Sequence, residues 1–328
     1  MAKLRNWLKA LCVAAMAMGA QAPLLSAAEP GYPTHTVRFI VPFNPGSATD
    51  ITARLFADRL STRWGKPVVV ENRPGGDGIV SIQAFITAND NHTLWFGPAG
   101  IFTVHPYDHD TVPYDQLRDL VPVVSISDVV LAVSTPASMH INSLDELVKV
   151  ARAQPGKLNA AAANGISDFS LFGWIKSLNL DIAKVPYRDI MQAPNDLAEQ
   201  RIQVLATSFA VVQPLMKADR IKVLAVTGRH RAPTAPDIPT ADEAGYPALT
   251  FESIGGIFGP RGISDAVRAS IAADIKAVAA DPVIGTRIAD IGTIMDIRGS
   301  ADFATAVQAQ RDKLAVIAKL LGLKAAAR

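Results

Sequence analysis

Residues 37–43 form an apolar run that predicts a strand with hydrophobic side chains on both faces. Such a pattern is typical of a buried strand in a parallel sheet. A loop follows at residues 44–50, and a helix is predicted from about residue 51. The predicted apolar face of this helix carries Ile51, Leu55, Phe56 and Leu60.

The loop after this strand carries the most informative chemistry of the chain. Pro45 and Gly46 turn the backbone, and Ser47, Thr49 and Asp50 are residue types that cap helix N-termini. A loop of this kind directs backbone N–H groups to the end of a sheet, where the helix dipole favours a small anion. The residues alone leave open whether the anion is a substrate, a cofactor phosphate or cargo.

Strands, Gly/Pro/Asn turns and helices alternate along the rest of the chain. Further strands are predicted at residues 68–70, 94–96, 129–133, 158–162, 182–185, 204–206 and 223–226. Further helices are predicted at residues 79–88, 144–153 and 265–279, around 283–289 and from 301 onward. The alternation favours an α/β fold with mainly parallel sheets. About 300 residues after removal of a leader favour two lobes over one core.

The N-terminus resembles a secretory signal peptide. Lys3, Arg5 and Lys9 precede an apolar run at residues 11–20, and small residues end at Ala28. The pattern predicts export to the periplasm with cleavage between Ala28 and Glu29, because the run is too short to span a bilayer. The single cysteine, Cys12, lies in this run, and Leu11 before it is a poor fit to a lipid attachment site.

Removal of the leader changes the charge balance and excludes several function classes. The chain has 32 Lys and Arg against 30 Asp and Glu; without the three basic residues of the leader, 29 face 30. This balance gives no indication of nucleic-acid binding. The remaining chain has no cysteine, no Gly-x-Ser-x-Gly, no P-loop and no Gly-x-Gly-x-x-Gly. We therefore expect no enzyme and no cofactor, and a periplasmic hydrolase is the weaker alternative.

An ordered set of motifs closely resembles the substrate-receptor (Bug) family of tripartite tricarboxylate transporters, which are periplasmic solute-binding proteins. The set covers nearly the whole chain after the leader. It comprises YP at 32–33, IVPF at 40–43, VVENRPGG at 69–76, HP at 105–106, VPYD at 112–115, PV at 122–123, PGKL at 155–158, VPY at 185–187, LAVT at 224–227, PDIPT at 236–240, EAG at 243–245 and GPRG at 259–262.

The resemblance implies a two-lobed, Venus-flytrap fold of the type II-like class, with the second lobe inserted in the first. The expected division is 1–28 for the signal peptide, 29–127 with 249–328 for lobe 1, and 128–248 for lobe 2. It implies a monomer that binds a small organic carboxylate: a di- or tricarboxylate, an acidic amino acid or an aromatic acid. The expected partners are the membrane permease subunits of the transporter. An orphan receptor that presents its closed form to a sensor kinase is the alternative.

The resemblance also implies that loops of both lobes hold the carboxylate through backbone N–H groups, hydroxyls and waters, and each loop follows a strand end. The candidate ligand-binding residues of lobe 1 are Phe43, Asn44, Gly46, Ser47, Ala48, Thr49, Asp50, Gly97, Ala99 and Gly100. Those of lobe 2 are Asn164, Gly165, Ser167, Tyr187, Arg188, Asp189, Thr207 and Ser208. We call these residues the clamp.

Several clamp positions have a structural alternative. Phe43 either walls the pocket or packs in the core, and Asp50 either supports its helix or receives an amino or hydroxyl group of the ligand. Tyr187 could donate its hydroxyl to a carboxylate. Arg188 could form a bidentate clamp, or instead pair with Asp189.

The chain departs from the family pattern at positions of the clamp and beside it. Ser47 and Ala48 stand where further glycines are common, and Thr207 replaces a frequent carboxylate. A common tryptophan is absent around residues 254–256. These departures concern the ligand more than the fold.

His105 and His109, with aspartates beside them, have the four-residue spacing of a helical metal site. Pro106 predicts a loop there instead, and too few other ligand residues surround the pair. We therefore expect no metal site.

Overall fold

The computed structural model describes residues 31–163, 165–187 and 189–326. The predicted leader, including Cys12 and the cleavage site, lies outside these ranges, as do Asn164 and Arg188. The strands are β1 (Val37–Val41), β2 (Val68–Asn72), β3 (Thr93–Pro98), β4 (Val121–Val129), β5 (Leu131–Pro136), β6 (Leu158–Ala162), β7 (Ile182–Lys184), β8 (Val204–Ser208), β9 (Ile221–Val226), β10 (Ile254–Gly259) and β11 (Thr293–Met295).

Helices connect most of these strands. They are α1 (Ala48–Trp64), α2 (Ile79–Ala88), α3 (Gly100–Asp108), α4 (Leu144–Ala153), α5 (Ile166–Ser177), α6 (Ala193–Ala198), α7 (Phe209–Lys217), α8 (Asp265–Ala279), α9 (Pro282–Asp290) and α10 (Ser300–Leu321). Within the described ranges, none of these helices combines the length and apolar character needed to cross a bilayer.

The strands form two sheets. One has the order β11-β4-β10-β3-β1-β2, and the other has the order β7-β6-β8-β5-β9. We call the first sheet and its helices the first lobe, and the second sheet and its helices the second lobe. All strands of the second sheet lie between β4 and β10 in the chain, so the second lobe is inserted in the first, as the resemblance implies.

The sheets are mixed, and the prediction of mainly parallel sheets is wrong. Strand β1 pairs in parallel with β2 and β3, and β6 with β7 and β8. However, β10 runs antiparallel to β3 and β4, and β5 antiparallel to β8 and β9. Strands β5 and β10 each follow a passage between the lobes, not a crossover helix, so nothing in the local sequence fixes their direction.

Helix α1 begins earlier than predicted, at Ala48. Its buried apolar residues are Ala53, Phe56, Ala57 and Leu60, whereas Ile51 and Leu55 are only half-buried. The buried face of the helix is thus rotated from the predicted face and includes two alanines.

The second lobe has a core on each face of its sheet. Helices α4 and α5 cover one face with residues such as Leu147 and Trp174, and helices α6 and α7 cover the other with Leu197 and Phe209.

The last helix, α10, packs on both lobes. Its N-terminal half contributes Phe303 and Val307 to the core of the first sheet, together with Trp95. Its C-terminal half contributes Leu314 and Ile317 to a cluster with Ile166 and Phe169 of α5.

Candidate functional site

The carboxyl ends of the parallel strands β1, β2 and β3 meet at one edge of the first sheet. Helices α1 and α3 both begin at this edge. The N-terminus of a helix presents backbone N–H groups that lack intrahelical acceptors, together with the positive end of the helix dipole. Two such ends at one sheet edge form a favourable environment for a small anion.

The loop after β1 is built by its capping residue. Ser47 lies in extended conformation, and its hydroxyl accepts a hydrogen bond from the Asp50 N–H at 3.2 Å. The N–H groups of Ala48 and Thr49 have no hydrogen-bond acceptor among the described residues. Phe43, which precedes the turn, is 37% exposed. The loop therefore offers two donors and an apolar side chain to solvent.

Asp50 holds this loop together. Its carboxylate accepts hydrogen bonds from the Gly46 N–H at 2.8 Å, Arg54 Nε at 3.0 Å and Asn72 Nδ2 at 2.9 Å. Burial alone would raise the pKa of Asp50, but the bonds from Arg54, Gly46 and Asn72 outweigh it and lower the pKa. The carboxylate of Asp50 therefore supports its helix and loop, and its contact with a ligand stays a prediction.

The loop after β3 contributes backbone more than side chains. Gly97 belongs to β3 and pairs with Gly256, and Ala99 is fully buried with its N–H donating to the Ile254 carbonyl at 2.8 Å. Gly100 begins α3, whose N-cap has no side-chain hydrogen bond. The donors that this part of the clamp can offer are the backbone N–H groups in the first turn of α3, because a helix leaves these groups without an intrahelical acceptor.

A third element at this edge was not predicted as part of the site. After β2, the backbone at Gly75, Gly76, Asp77 and Gly78 has positive φ and makes a tight turn. A Cβ at Gly78 would come within 2.6 Å of Ile101, so the turn lies directly against the first turn of α3. The Pro-Gly-Gly run in the sequence was the available signal.

In the second lobe, strands β6, β7 and β8 are parallel, and their carboxyl ends form the matching edge. Gly165, with φ 80°, opens α5, and Ser167 in its first turn is 5% exposed. Thr207 is buried in β8, and Ser208 ends that strand at the start of α7. Since Asn164 and Arg188 lie outside the described residues, their predicted roles stay predictions.

Tyr187 is engaged by its own lobe. Its hydroxyl donates to Asp196 Oδ2 at 2.7 Å, and Asp196 also binds Arg201. Burial and the bond to Asp196 raise the pKa of Tyr187 to about 12. Asp189 caps a short turn by accepting from the Met191 N–H at 3.0 Å. The hydroxyl proton of Tyr187 is therefore engaged by Asp196, and a contact of Tyr187 with a ligand carboxylate stays a prediction.

The two lobes meet at the N-termini of α3 and α5. A Cβ on Gly100 would lie 2.6 Å from Ile166 Cδ1, and one on Gly165 would lie 3.9 Å from Val104. The first turns of these helices, one from each lobe, are therefore in direct contact. Helix α1 begins at the same edge of the first sheet as α3, because β1 and β3 are parallel neighbours.

His105 and His109 lie on helix α3 and at its end, not in the predicted loop. The His105 ring is buried between the Tyr114 hydroxyl and the Asp77 carbonyl, the latter 3.0 Å from Nε2. Burial lowers the pKa of His105. Across the part of the chain that the structure describes, no group of three His, Cys, Asp or Glu residues could hold a metal ion.

Comparisons with a family model and with individual known proteins indicate the same family. Residues 52–323 match the model of a family described as "Tripartite tricarboxylate transporter family receptor". A protein in the tcbD-tcbE intergenic region of Pseudomonas sp. strain P51 is 33% identical over 258 residues, which cover 77% of this chain and 76% of the relative. Protein BugT of Bordetella pertussis is 31% identical over 70% of this chain and 72% of its own.

A solved structure is also similar, that of R. palustris Rpa4515 with adipate. It is 28% identical, with a TM-score of 0.75, and the match covers 89% of this chain and 99% of the other.

Proposed function

Since the chain belongs to the receptor family of tripartite tricarboxylate transporters, we propose that it captures a small organic carboxylate between its lobes and delivers it to a permease of that transporter type. The observation that carries the proposal is the contact between the N-termini of α3 and α5, with α1 beginning at the same sheet edge as α3. Ionised carboxylates are stabilised at such ends by N–H donors and by the helix dipole.

Backbone donors carry most of the proposed recognition, because the cations beside the described part of the clamp are already paired. Arg54 binds Asp50, and Lys184 binds Asp168 at 2.6 Å. Arg188, whose side chain could bind a carboxylate in bidentate fashion, remains a proposed contact. Phe43 is exposed beside the donors of α1 and suits the hydrocarbon part of a ligand.

Among the candidate ligands, we propose a dicarboxylate such as adipate. The adipate-bound relative is 28% identical and matches over 89% of this chain, which supports a ligand of that class. An acidic amino acid or an aromatic acid would use the same donors.

The proposed mechanism is closure of the lobes around the ligand. A carboxylate that touches the N-termini of α1 and α3 on one side and α5 on the other stabilises the closed arrangement by its higher affinity for it. The closed form is then recognised by the permease. The family consists of periplasmic binding proteins, and we propose that this chain reaches the periplasm after cleavage near Ala28 and that it catalyses no reaction.

A thermal-shift screen tests this function. The screen compares adipate, malate, citrate, glutamate and benzoate, and we expect these acids to raise Tm by different amounts. The best ligand at a hundredfold excess over its Kd should stabilise the protein by about 2.7 kcal/mol, which corresponds to a rise in Tm of about 4 °C.

The matched control in this screen is hexane-1,6-diol, which has the chain of adipate without its charges and should leave Tm unchanged. An absence of any shift with every acid, combined with turnover of an ester or phosphate substrate, would contradict the proposal.

A second prediction concerns Tyr187→Phe. Because the hydroxyl donates to Asp196, its removal should cost about 1 kcal/mol of unfolding free energy and change the affinity for adipate less than twofold. Urea denaturation and titration calorimetry measure the two effects. Tyr246→Phe is the matched control, since Tyr246 donates to Asp145 at 2.5 Å in the same way. A tenfold loss of affinity in the Tyr187 variant, without such a loss in the Tyr246 variant, would show that Tyr187 contributes to ligand binding.

A further inference from the structure

Two passages of the chain between the lobes run side by side. The first is Val130, between β4 and β5, and the second is the segment between β9 and β10, residues 227–253. The Val129 N–H donates to the Ser253 carbonyl at 3.2 Å, and the Thr227 N–H donates to the Leu131 carbonyl at 2.9 Å. We call this pair of passages the hinge, because a change in the angle between the lobes must bend both.

The side chain of Asp128 lies between the two passages of the hinge. Asp128 is the next-to-last residue of β4 and is 7% exposed. Its Oδ1 accepts a hydrogen bond from the Ser253 N–H at 2.6 Å. Its Oδ2 would lie 3.5 Å from a Cβ placed on Gly228, so this oxygen faces the start of the second passage.

The charged groups around Asp128 leave it without a cation of its own. Glu252, in the second passage, accepts from Arg229 at 2.9 Å and from Arg298 at 2.7 Å, and Arg298 also pairs with Asp296 after β11. Three carboxyl groups thus share two guanidinium groups. None of the ion pairs among the described residues includes Asp128.

The remaining element of this region, α10, supplies no cation to Asp128 either. The ammonium group of Lys313 donates to the carbonyls of Pro247 and Thr250 and lies 4.6 Å from the ring centre of Phe251. Burial, then the charges of Glu252 and Asp296, raise the pKa of Asp128 to about 7, against the lowering effects of the Ser253 N–H and of the Arg298 charge.

We propose that Asp128 is a proton-sensitive hinge residue, whose neutral form favours the arrangement of the lobes described above and whose ionised form favours their separation. A buried anion beside two other carboxylates is unfavourable. Bending of the hinge admits water to the ionised group and relieves this penalty. If the proposed carboxylate capture is correct, ligand affinity falls as the pH rises through about 7, because the closed form retains the proton.

The proposal can be tested without any ligand. Spin labels are attached to cysteines introduced at Lys66 in the first lobe and Lys217 in the second, both exposed, with Cys12 replaced by serine. Pulsed electron spin resonance then gives the interlobe distance distribution from about pH 5.5 to about pH 8.5. We expect the ratio of the two lobe arrangements to change by up to about tenfold per pH unit on the acid side of about pH 7 and to level off above it.

Asp128→Asn mimics the neutral form and keeps an oxygen for the Ser253 N–H, so its distances should stay those of the low-pH form throughout. Glu252→Gln gives an independent measurement, because removal of a neighbouring negative charge should move the midpoint to lower pH. Asp108→Asn is the control. Asp108 lies on α3, and burial and Asp168 of the second lobe raise its pKa.

The control variant should keep the wild-type midpoint. The proposal is overturned if wild-type distances do not change over this pH range, or if Asp108→Asn, and not Asp128→Asn, abolishes the change. It is also overturned if Glu252→Gln leaves the midpoint in place. None of these outcomes bears on carboxylate capture, which the thermal-shift screen tests separately.

Discussion

Replacement of Asp50 by alanine is expected to destabilise the protein by about 2–3 kcal/mol and to abolish measurable adipate binding. The variant leaves the Gly46 N–H, the Arg54 guanidinium and the Asn72 amide without the acceptor that they share. This loss of stability is smaller than that expected for a fully buried ion pair, because the Arg54 side chain is 50% exposed. Urea denaturation measures the loss of stability, and titration calorimetry measures the loss of binding.

The effect of Asp50 has a definite pH dependence. Its pKa is lower in the folded protein than in the unfolded chain, so the folded state binds the proton less tightly. The stabilisation from Asp50 is therefore present above about pH 4 and is lost as the pH falls through the lowered pKa. The stability difference between wild type and the alanine variant should shrink in acid.

Asp58→Ala is the matched control, because Asp58 lies on the same helix but is 73% exposed and, among the described residues, forms an ion pair only with its neighbour Arg59. We expect its stability to change by less than about 0.5 kcal/mol, with binding unaffected. Equal losses in the two variants would show that the loop does not depend on the carboxylate of Asp50.

The elements that could be predicted from the sequence are those with local signals. The helix predicted at 144–153 is α4, with the Ser143 hydroxyl accepting from the Glu146 N–H at 3.2 Å as an N-cap. The helices predicted at 79–88 and 265–279 and the strand at 158–162 also match the structure. The family that the ordered motifs indicated is confirmed.

Other elements are determined by contacts that a local pattern does not contain. Residues 129–133 look like one strand, yet β4 ends at Val129 and β5 begins at Leu131 in the other sheet. Strand β10 was not predicted because its glycines suggest a loop. At Gly256 a Cβ would lie 2.3 Å from the Val124 carbonyl oxygen, so the close packing of β10 on β4 requires glycine there.

The residues of the clamp also divide into those with a local sequence signal and those whose contacts come from distant segments. Ser47 could be identified as a cap because its partner, the Asp50 N–H, is three residues away. The engagement of Asp50 by Asn72 and that of Tyr187 by Asp196 depend on segments that only the fold brings together. The carboxylate of Asp50 and the hydroxyl of Tyr187 are therefore held by structural contacts, and the backbone donors gain importance in the proposed site.

Replacement of Gly100 by valine is expected to lower adipate affinity at least tenfold while both lobes stay folded. The new side chain would occupy the space where Ile166 of the second lobe approaches to within 2.6 Å of the Cβ position. The lobes would be held apart at the point where the N-termini of α3 and α5 meet, so one ligand could not contact both. Calorimetry measures the affinity, and circular dichroism checks that secondary structure is retained.

A second substitution distinguishes this steric effect from general damage to the fold. Ile166→Ala removes the atoms that the valine would meet, so the double variant should regain most of the affinity lost in Gly100→Val. Gly285→Ala is the control, because a Cβ there lies 3.7 Å from Met295 in ordinary contact. If the double variant binds as weakly as Gly100→Val, the contact between the two helices does not govern capture. Recovery would instead show that lobe approach at Gly100 limits ligand affinity.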